Sequence, residues 1–395
     1  MKRVSMQFWL CIALSVAVIC LPGTSARSQP AGRTNISGKA LPSFPYENGW
    51  LGADAAYSIP LGSGQSLWLF GDTFVGNRAA RTRAQRTGMP RNSIGISQCD
   101  NQDCTIQYYW NRMYRPHPRA FFDLAGADWF WPLDGFIADG SLHVVLEEMR
   151  AVGTGAFGFG NSAVILATIP NFHEPPARWK IHYQKILSGD SAVPGVSVVA
   201  GRAEFNPYPK DPNGTAWVYF FTLRKLASRS VIALTRLPIA SLSRAAQADG
   251  AWQYLSVSDR WLQWTNPGVL PADAKTVLSV GYTEFTVRYH PEQARWVAVG
   301  PSTMLTEGRA VYNLAPALDG PWSVPQTLLQ YPEMKKDNPD HTANVICYAA
   351  KEHPEFETSE SLLVTYACNS VVEEEVFKNL DLYHPVVVNR MLPKQ

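Results

Sequence analysis

The sequence predicts an all-β fold, a five-bladed β-propeller with four antiparallel strands per blade. Three observations carry this expectation. The 395 residues include 12% aromatics, 13 Trp, 28 Gly and 29 Pro against only 17% charged residues. That is the balance of a packed, turn-rich β protein and the reverse of a disordered chain. From Trp50 onward, short apolar runs alternate with turns, and helical periodicity is confined to one modest candidate at 239–248. Finally, the runs group into five units of similar rhythm.

The elements are taken in chain order. Lys2 and Arg3 precede an apolar run at 8–21 and a small-residue cleavage site, Thr24-Ser25-Ala26. This is the pattern of a secretory signal peptide. The run is shorter than the ~20 apolar residues a membrane span needs. Residues 1–26 are therefore expected to be a signal peptide, 27–45 a tail or closing strand, and 46–395 a single propeller domain. The expected location is secreted or periplasmic, with no stable membrane span after cleavage. Lys2 and Arg3 account for the whole formal charge of +2, and the rest of the chain balances at 33 basic and 33 acidic residues. A dedicated nucleic-acid binder would carry a basic surplus, so no nucleic acid is expected as partner. The protein is expected to be a monomer.

The first unit comprises runs at 53–59, 67–74, 92–96 and 105–110, and the second runs at 133–137, 142–147, 161–166 and 179–183. Asn92-Ser93 of the first aligns with Asn161-Ser162 of the second. The third unit starts near Val198 and continues through 217–221, 231–234 and 252–255, and the fourth through 282–287, 296–299, 310–312 and 322–323. The fifth has 344–348, 362–366 and 385–388 but no fourth run, so the segment near 30–45 is expected to supply it and close the ring. Radial repetition leaves only short, protected sheet edges. A pair of β-sandwiches would not explain five similar units.

Cys11 and Cys20 leave with the signal peptide, and four cysteines remain, which allow three pairings. Cys99 and Cys104 bracket a tight polar turn and are expected to bridge across it. Cys347 and Cys368 lie in neighbouring strand-like runs and are expected to pair between them. The close pairs of a zinc site are absent, and neither a metal nor a cofactor is expected.

In a propeller blade, the start of the first strand and the end of the second meet on one face of the ring. Asp54 and Asp72, 18 residues apart, are thereby brought together. The same geometry brings Asp134, Glu147 or Glu148, and Glu284 to that face. Paired carboxylates in a cleft suit glycoside hydrolysis, where one holds a proton for the leaving oxygen and the other stays ionised. Strand-end Asp residues also serve as plain backbone hydrogen-bond acceptors. Trp50 offers a ring for a sugar face or for packing. Asn92 comes after a loop holding Arg78, Arg81, Arg83, Arg86 and Arg91, which reads as a solvated loop or as a grip on a hydroxylated polymer. His384 could reach the axis from the fifth unit. Gly153 to Gly158 fits G-x-G-x-x-G but lacks the following helix that a nucleotide site needs, and no G-x-S-x-G elbow is present.

Gly49-Trp50-Leu51-Gly52-Ala53-Asp54, with Leu67-Trp68-Leu69-Phe70-Gly71-Asp72-Thr73-Phe74 after it, resembles the first blade of a bacterial propeller family long described as a domain of unknown function, which includes endo-D-arabinanases. The architecture is similar to that of the five-bladed arabinanases, xylosidases and invertases. The resemblance implies a secreted glycosidase acting on a furanoside-rich polysaccharide, with Asp54 and Asp72 as the catalytic pair and Trp50, Asn92, Asp134, Glu147, Glu284 and His384 as candidate substrate contacts. The alternative is a non-catalytic carbohydrate-binding or envelope scaffold propeller.

Overall fold

The computed structural model describes residues 40–391, apart from 112–116, 155–157, 190, 201–213, 248–250, 266–267, 280–281, 303–304, 339–340 and 359–360. Five antiparallel sheets succeed one another along the chain. Blade one holds β1 (Trp50–Gly62), β2 (Gln65–Gly76), β3 (Arg86–Gly88), β4 (Ser93–Cys99) and β5 (Cys104–Tyr109). Blade two holds β6 (Trp129–Ala138), β7 (Ser141–Ala151), β8 (Phe159–Ile169) and β9 (His182–Ser188). Blade three holds β10 (Ala192–Ala200), β11 (Trp217–Lys225), β12 (Ser230–Pro238), β13 (Gln253–Leu255), β14 (Trp261–Gln263) and β15 (Thr276–Leu278). Blade four holds β16 (Thr286–His290), β17 (Arg295–Pro301), β18 (Arg309–Ala315) and β19 (Gln326–Gln330), and blade five β20 (Val345–Glu352), β21 (Ser361–Ser370) and β22 (Pro385–Met391).

Each blade is a meander whose first strand lies innermost. β1 packs against β6, β6 against β10, β10 against β16, β16 against β20, and β20 back against β1. That closed circuit of first strands is the axis of a five-bladed propeller. The central strands β2, β11 and β12 are buried almost throughout, so they read as near-continuous apolar runs rather than as alternating ones. The helical candidate at 239–248 forms a 3-10 segment, Ile239–Gln247, broken at Arg244. One short helix, α1 (Glu373–Lys378), lies outside the sequence expectation; it sits between β21 and β22.

Both cysteine bridges form. Cys99 pairs opposite Cys104 at the β4–β5 turn, and Cys347 opposite Cys368 between β20 and β21, each with Cα atoms 4.0 Å apart.

The expected fourth strand of blade five does not form within the described residues, where that sheet has three strands. Residues 27–39 of the expected closing segment lie outside the described residues. Of the described part, residues 40–46 bring side chains to the seam. Phe44 is buried edge-on against Trp68 and Phe70, in a cluster that also takes Leu363 and Val387 from blade five.

Arg83 locks the same seam. It is one of five arginines in a loop that could equally be solvated, yet it is fully buried. Its guanidinium donates to the carbonyls of Leu51, Val376, Asn379, Leu382 and Tyr383 and to the Tyr46 hydroxyl. Gly52 makes room for this clamp: its φ is +112°, and a Cβ there would lie 2.4 Å from the Tyr383 carbonyl oxygen. Replacing Arg83 by Ala is expected to cost at least about 3 kcal/mol, because several buried carbonyls lose a charged donor together. Arg83→Lys should recover only part of it, since an ammonium cannot reproduce the planar fork. Urea titration with an unchanged m-value checks both.

Candidate active site

Within buried strands, a few polar side chains open toward one end of the axis. β1 is buried from Trp50 to Ile59 except at Asp54, and β2 from Ser66 to Val75 except at Asp72. Asp54 lies in a stretch where the β1–β2 register slips repeatedly, between the pairs Ala53–Thr73 and Ala55–Phe70. The slips coincide with left-handed backbone at Ala55 (φ 71°) and Ala56 (φ 69°). Bulges of this kind re-aim a side chain, and non-Gly residues held at positive φ cluster at functional sites. Across the sheet, Gly71 admits the Asp54 carboxylate: a Cβ there would lie 2.4 Å from Asp54 Oδ1.

The two carboxylates have different company. Tyr348 Oη donates to Asp54 Oδ2 at 2.8 Å, and Asn369 Nδ2 donates to that hydroxyl at 3.3 Å. Burial, then the neighbouring Asp72 and Glu284, raise the Asp54 pKa to about 8. Asp72 instead faces Arg91, whose Nη1 lies 3.0 Å from Oδ2, and Trp131, whose Nε1 donates to Oδ1 at 3.1 Å. Burial raises the Asp72 pKa too, but Arg91 and Trp131 pull against it by favouring the ionised form.

Glu284, just ahead of β16, reaches the same place and pairs with Lys351 Nζ at 3.0 Å. That ammonium has no solvent exposure. It also donates to the carbonyls of Ala55 and Ala349, at 3.3 Å each, and lies 4.2 Å from the Tyr57 ring centroid. Ala349 is itself left-handed (φ 58°), at a register slip in β20. Glu147 completes the group; burial raises its pKa to about 7, eased by Lys225 and strengthened by Glu284. Its neighbour Glu148 turns away to Lys185, 3.2 Å distant.

Four expected contacts lie elsewhere. Trp50 is fully buried and stacks on Tyr108 with ring centroids 4.3 Å apart, so it packs the blade and offers no face to a sugar. Asn92 is also buried; its side chain bonds the Phe122 and Phe130 carbonyls and the Phe122 amide, and pins the loop into β6. Asp134 is buried below the cleft, where it accepts from Gly135 N, Val198 N, Ser197 Oγ and Arg288 Nη1 and ties blade two to blades three and four. His384 lies in the closing seam beside Tyr46. Burial and the nearby Arg83 push its pKa down to about 4.

Several residues of the cleft have no reading in the sequence. Trp131 and Trp129 line it in place of Trp50, with Phe159 edge-on to Trp131 and Arg91 stacked 4.8 Å over Trp129. A groove of about 220 Å³, lined by Arg91, Pro118, Asp123 and Trp129, runs beside them. A larger cavity of about 410 Å³ lies between blades three and four, lined by Thr276, Asn313, Asp319 and Trp322 and by none of the carboxylates above. The alternation Trp129-Phe130-Trp131, buried only at Phe130, is the available signal for the aromatic wall. Tyr348 and Lys351 carry none, because a register slip decides where they point.

Among solved structures, that of a putative hydrolase from Bacteroides ovatus aligns with a TM-score of 0.66 at 18% identity, covering 87% of this chain and 86% of that one. A GH43_1 enzyme from Xanthomonas citri aligns at 0.44 and 11% identity over 89% and 91% of the two chains. An exo-1,5-alpha-L-arabinanase from a bovine ruminal metagenomic library aligns at 0.42 and 10% over 88% and 95%. The first of these shares the propeller fold. No curated protein matches the chain. A family profile matches residues 43–390, nearly the whole propeller, and the chain belongs to that family, described as a domain of unknown function, DUF5005.

Proposed function

We propose that the protein is a glycoside hydrolase acting on a furanoside-rich polysaccharide, with Asp54 as general acid and Asp72 as general base or nucleophile. One observation carries this reading: two carboxylates face one cleft in contrasting surroundings. Asp54 is buried beside Asp72 and Glu284, which favours its protonated form against the pull of the Tyr348 hydroxyl. Asp72 is held by a guanidinium and an indole N–H, which favour its ionised form. Environments that push two titratable groups apart supply the acid and base assignments of a glycosidase. Trp131 and Trp129 supply the aromatic wall on which a sugar ring stacks. The furanoside substrate rests on the resemblance of the Gly-Ala-Asp and Trp-Leu-Phe-Gly-Asp-Thr-Phe segments to the arabinan-cleaving propellers. Export through the N-terminal leader, together with the two disulfides, suits a polymer met outside the cytoplasm.

Release of reducing ends from arabinan tests this directly. Asp54→Asn and Asp72→Asn are each expected to lower kcat roughly 10²–10⁴-fold, with unchanged circular dichroism. Binding of arabinan by the wild type without turnover, on a broad polysaccharide panel, overturns the enzymatic reading in favour of a binding module.

The pH profile is set by the two environments. The acid must be protonated, so activity falls at high pH as Asp54 ionises near its raised pKa of about 8. Activity falls at low pH as Asp72 takes up a proton, from a pKa above the ordinary carboxylate value. The expected kcat profile is a bell with its top near neutrality.

A stability measurement separates the same group from catalysis. Because Asp54 binds its proton more tightly folded than unfolded, its contribution to stability falls as pH rises from about 4 to about 8. Asp54→Asn should therefore melt above the wild type at pH 8 and alongside it at pH 4. Gly71→Ala should keep the fold and lose at least about tenfold in kcat, since a Cβ at that place displaces the Asp54 carboxylate.

A further inference from the structure

The polar face of β16 continues past the cleft. Glu284, Thr286, Arg288 and His290 alternate with Phe285, Val287 and Tyr289, and the two-residue period of a strand sets the four on one side. Glu284 meets Lys351, and Arg288 meets Asp134. His290, six positions beyond Glu284 and roughly 20 Å of extended chain away, reaches Glu352 at the end of β20. Its Nε2 lies 2.6 Å from Glu352 Oε1.

Glu352 has no side-chain exposure, and among the described residues its second oxygen, Oε2, meets no N–H or hydroxyl donor. Glu357 comes directly after the Pro354–Phe356 turn and brings a second carboxylate, whose Oε1 accepts from the Leu363 amide at 3.0 Å. One ligand atom each from His290, Glu352 and Glu357 falls within 4.8 Å of the others. Glu355 stands nearby, facing Ser58 and Ser66. The hydrogen bonds of Arg288 and Lys351 go to other groups, while the charge of Arg288 also acts on Glu352 and Glu355. Arg288 Nη1 donates to Asp134, Val198 and Val287, and Lys351 Nζ to Glu284, Ala55 and Ala349. Two carboxylates packed this closely beside one imidazole in a buried place repel one another unless a proton or a cation lies between them.

We propose that His290, Glu352 and Glu357 bind one divalent cation of the zinc or manganese type, as a staple between blades four and five. Imidazole nitrogen with two carboxylate oxygens is a donor set for such ions rather than for calcium or magnesium, which prefer oxygen alone. The ion takes the place of the proton between His290 Nε2 and Glu352 Oε1 and meets the Glu352 Oε2 side of that carboxylate. His290 is 14% exposed, so the place is reachable from solvent. An ion there would join the last residues of two innermost strands to the loop leading into β21. It is separate from Asp54 and Asp72, and its consequence is stability rather than chemistry.

Untagged protein dialysed against chelator, then titrated with Zn²⁺, Mn²⁺ and Ca²⁺ separately by calorimetry and thermal melting, tests this. The expected result is one equivalent of Zn²⁺ or Mn²⁺ per chain, with a rise in Tm of about 5 °C at saturation. Glu357→Gln keeps the side-chain shape and should weaken binding at least tenfold and lose the Tm rise, and His290→Ala should do the same. If His290→Ala does not fold, Glu357→Gln decides. No stoichiometric binding of either metal by the wild type overturns the proposal and leaves Glu352 and Glu357 sharing a proton. Binding of Ca²⁺ alone, or unchanged binding in the folded variants, overturns it as well.

Discussion

One buried ammonium organises the acidic end of the axis. Lys351 has no exposure, and its three protons go to Glu284 and to the carbonyls of Ala55 and Ala349. Both alanines sit in left-handed backbone, a conformation that costs an L-residue roughly 1–2 kcal/mol. The charge therefore holds together the two distorted strands that flank Asp54 and supplies the nearest positive counterweight to Glu284. Remove it, and the bulge that aims Asp54 loses a donor at the same moment that the carboxylates lose a cation. Burial alone would drive the lysine toward neutrality; the carboxylates of Glu284, Asp54 and Asp134 oppose that shift. The acids and the lysine thus sustain one another.

The opposing surroundings of Asp54 and Asp72 arise from different blades. Tyr348 comes from β20, Arg91 from the loop before β4, and Trp131 from β6. A single sheet could not supply all three, because its side chains face only its two neighbours. The propeller converts distant segments into one shell around a pair that is local in sequence. The near-neutral chain fits the proposed function: with no overall field to gather a polymer, recognition would fall to Trp129, Trp131 and the cleft acids at short range.

How much of this is legible in the sequence depends on the kind of signal each residue leaves. Strand runs, turns and the five-unit rhythm are local, and so the blades are readable, as are the two cysteine pairs across adjacent strands. Asp54 and Asp72 are readable as neighbours because one hairpin joins them. Trp50 misleads because a tryptophan four residues from a cleft aspartate looks the same in sequence whether it faces solvent or Tyr108. Asp134 misleads because it lies one step of register too deep, at a slip between Pro132 and Gly135. Lys351 and Tyr348 escape notice for the related reason that a bulge changes which face a residue joins. Arg83 is hidden among five arginines, since nothing local marks which one finds carbonyls some 300 residues away.

That last separation bears on the order in which the molecule assembles. Arg83 belongs to the first blade, yet most of the carbonyls it serves lie between Val376 and Tyr383. Until those residues are present, the first blade carries a buried guanidinium with little to bond, and its Phe44–Trp68 seam lacks Leu363 and Val387. The nascent chain can therefore form individual meanders but not a finished ring, and contacts this distant in sequence are slow to find. Under the proposed export, in which the polypeptide threads a narrow translocon before adopting its final shape, such late closure would keep the chain pliable during passage and reserve compaction for arrival.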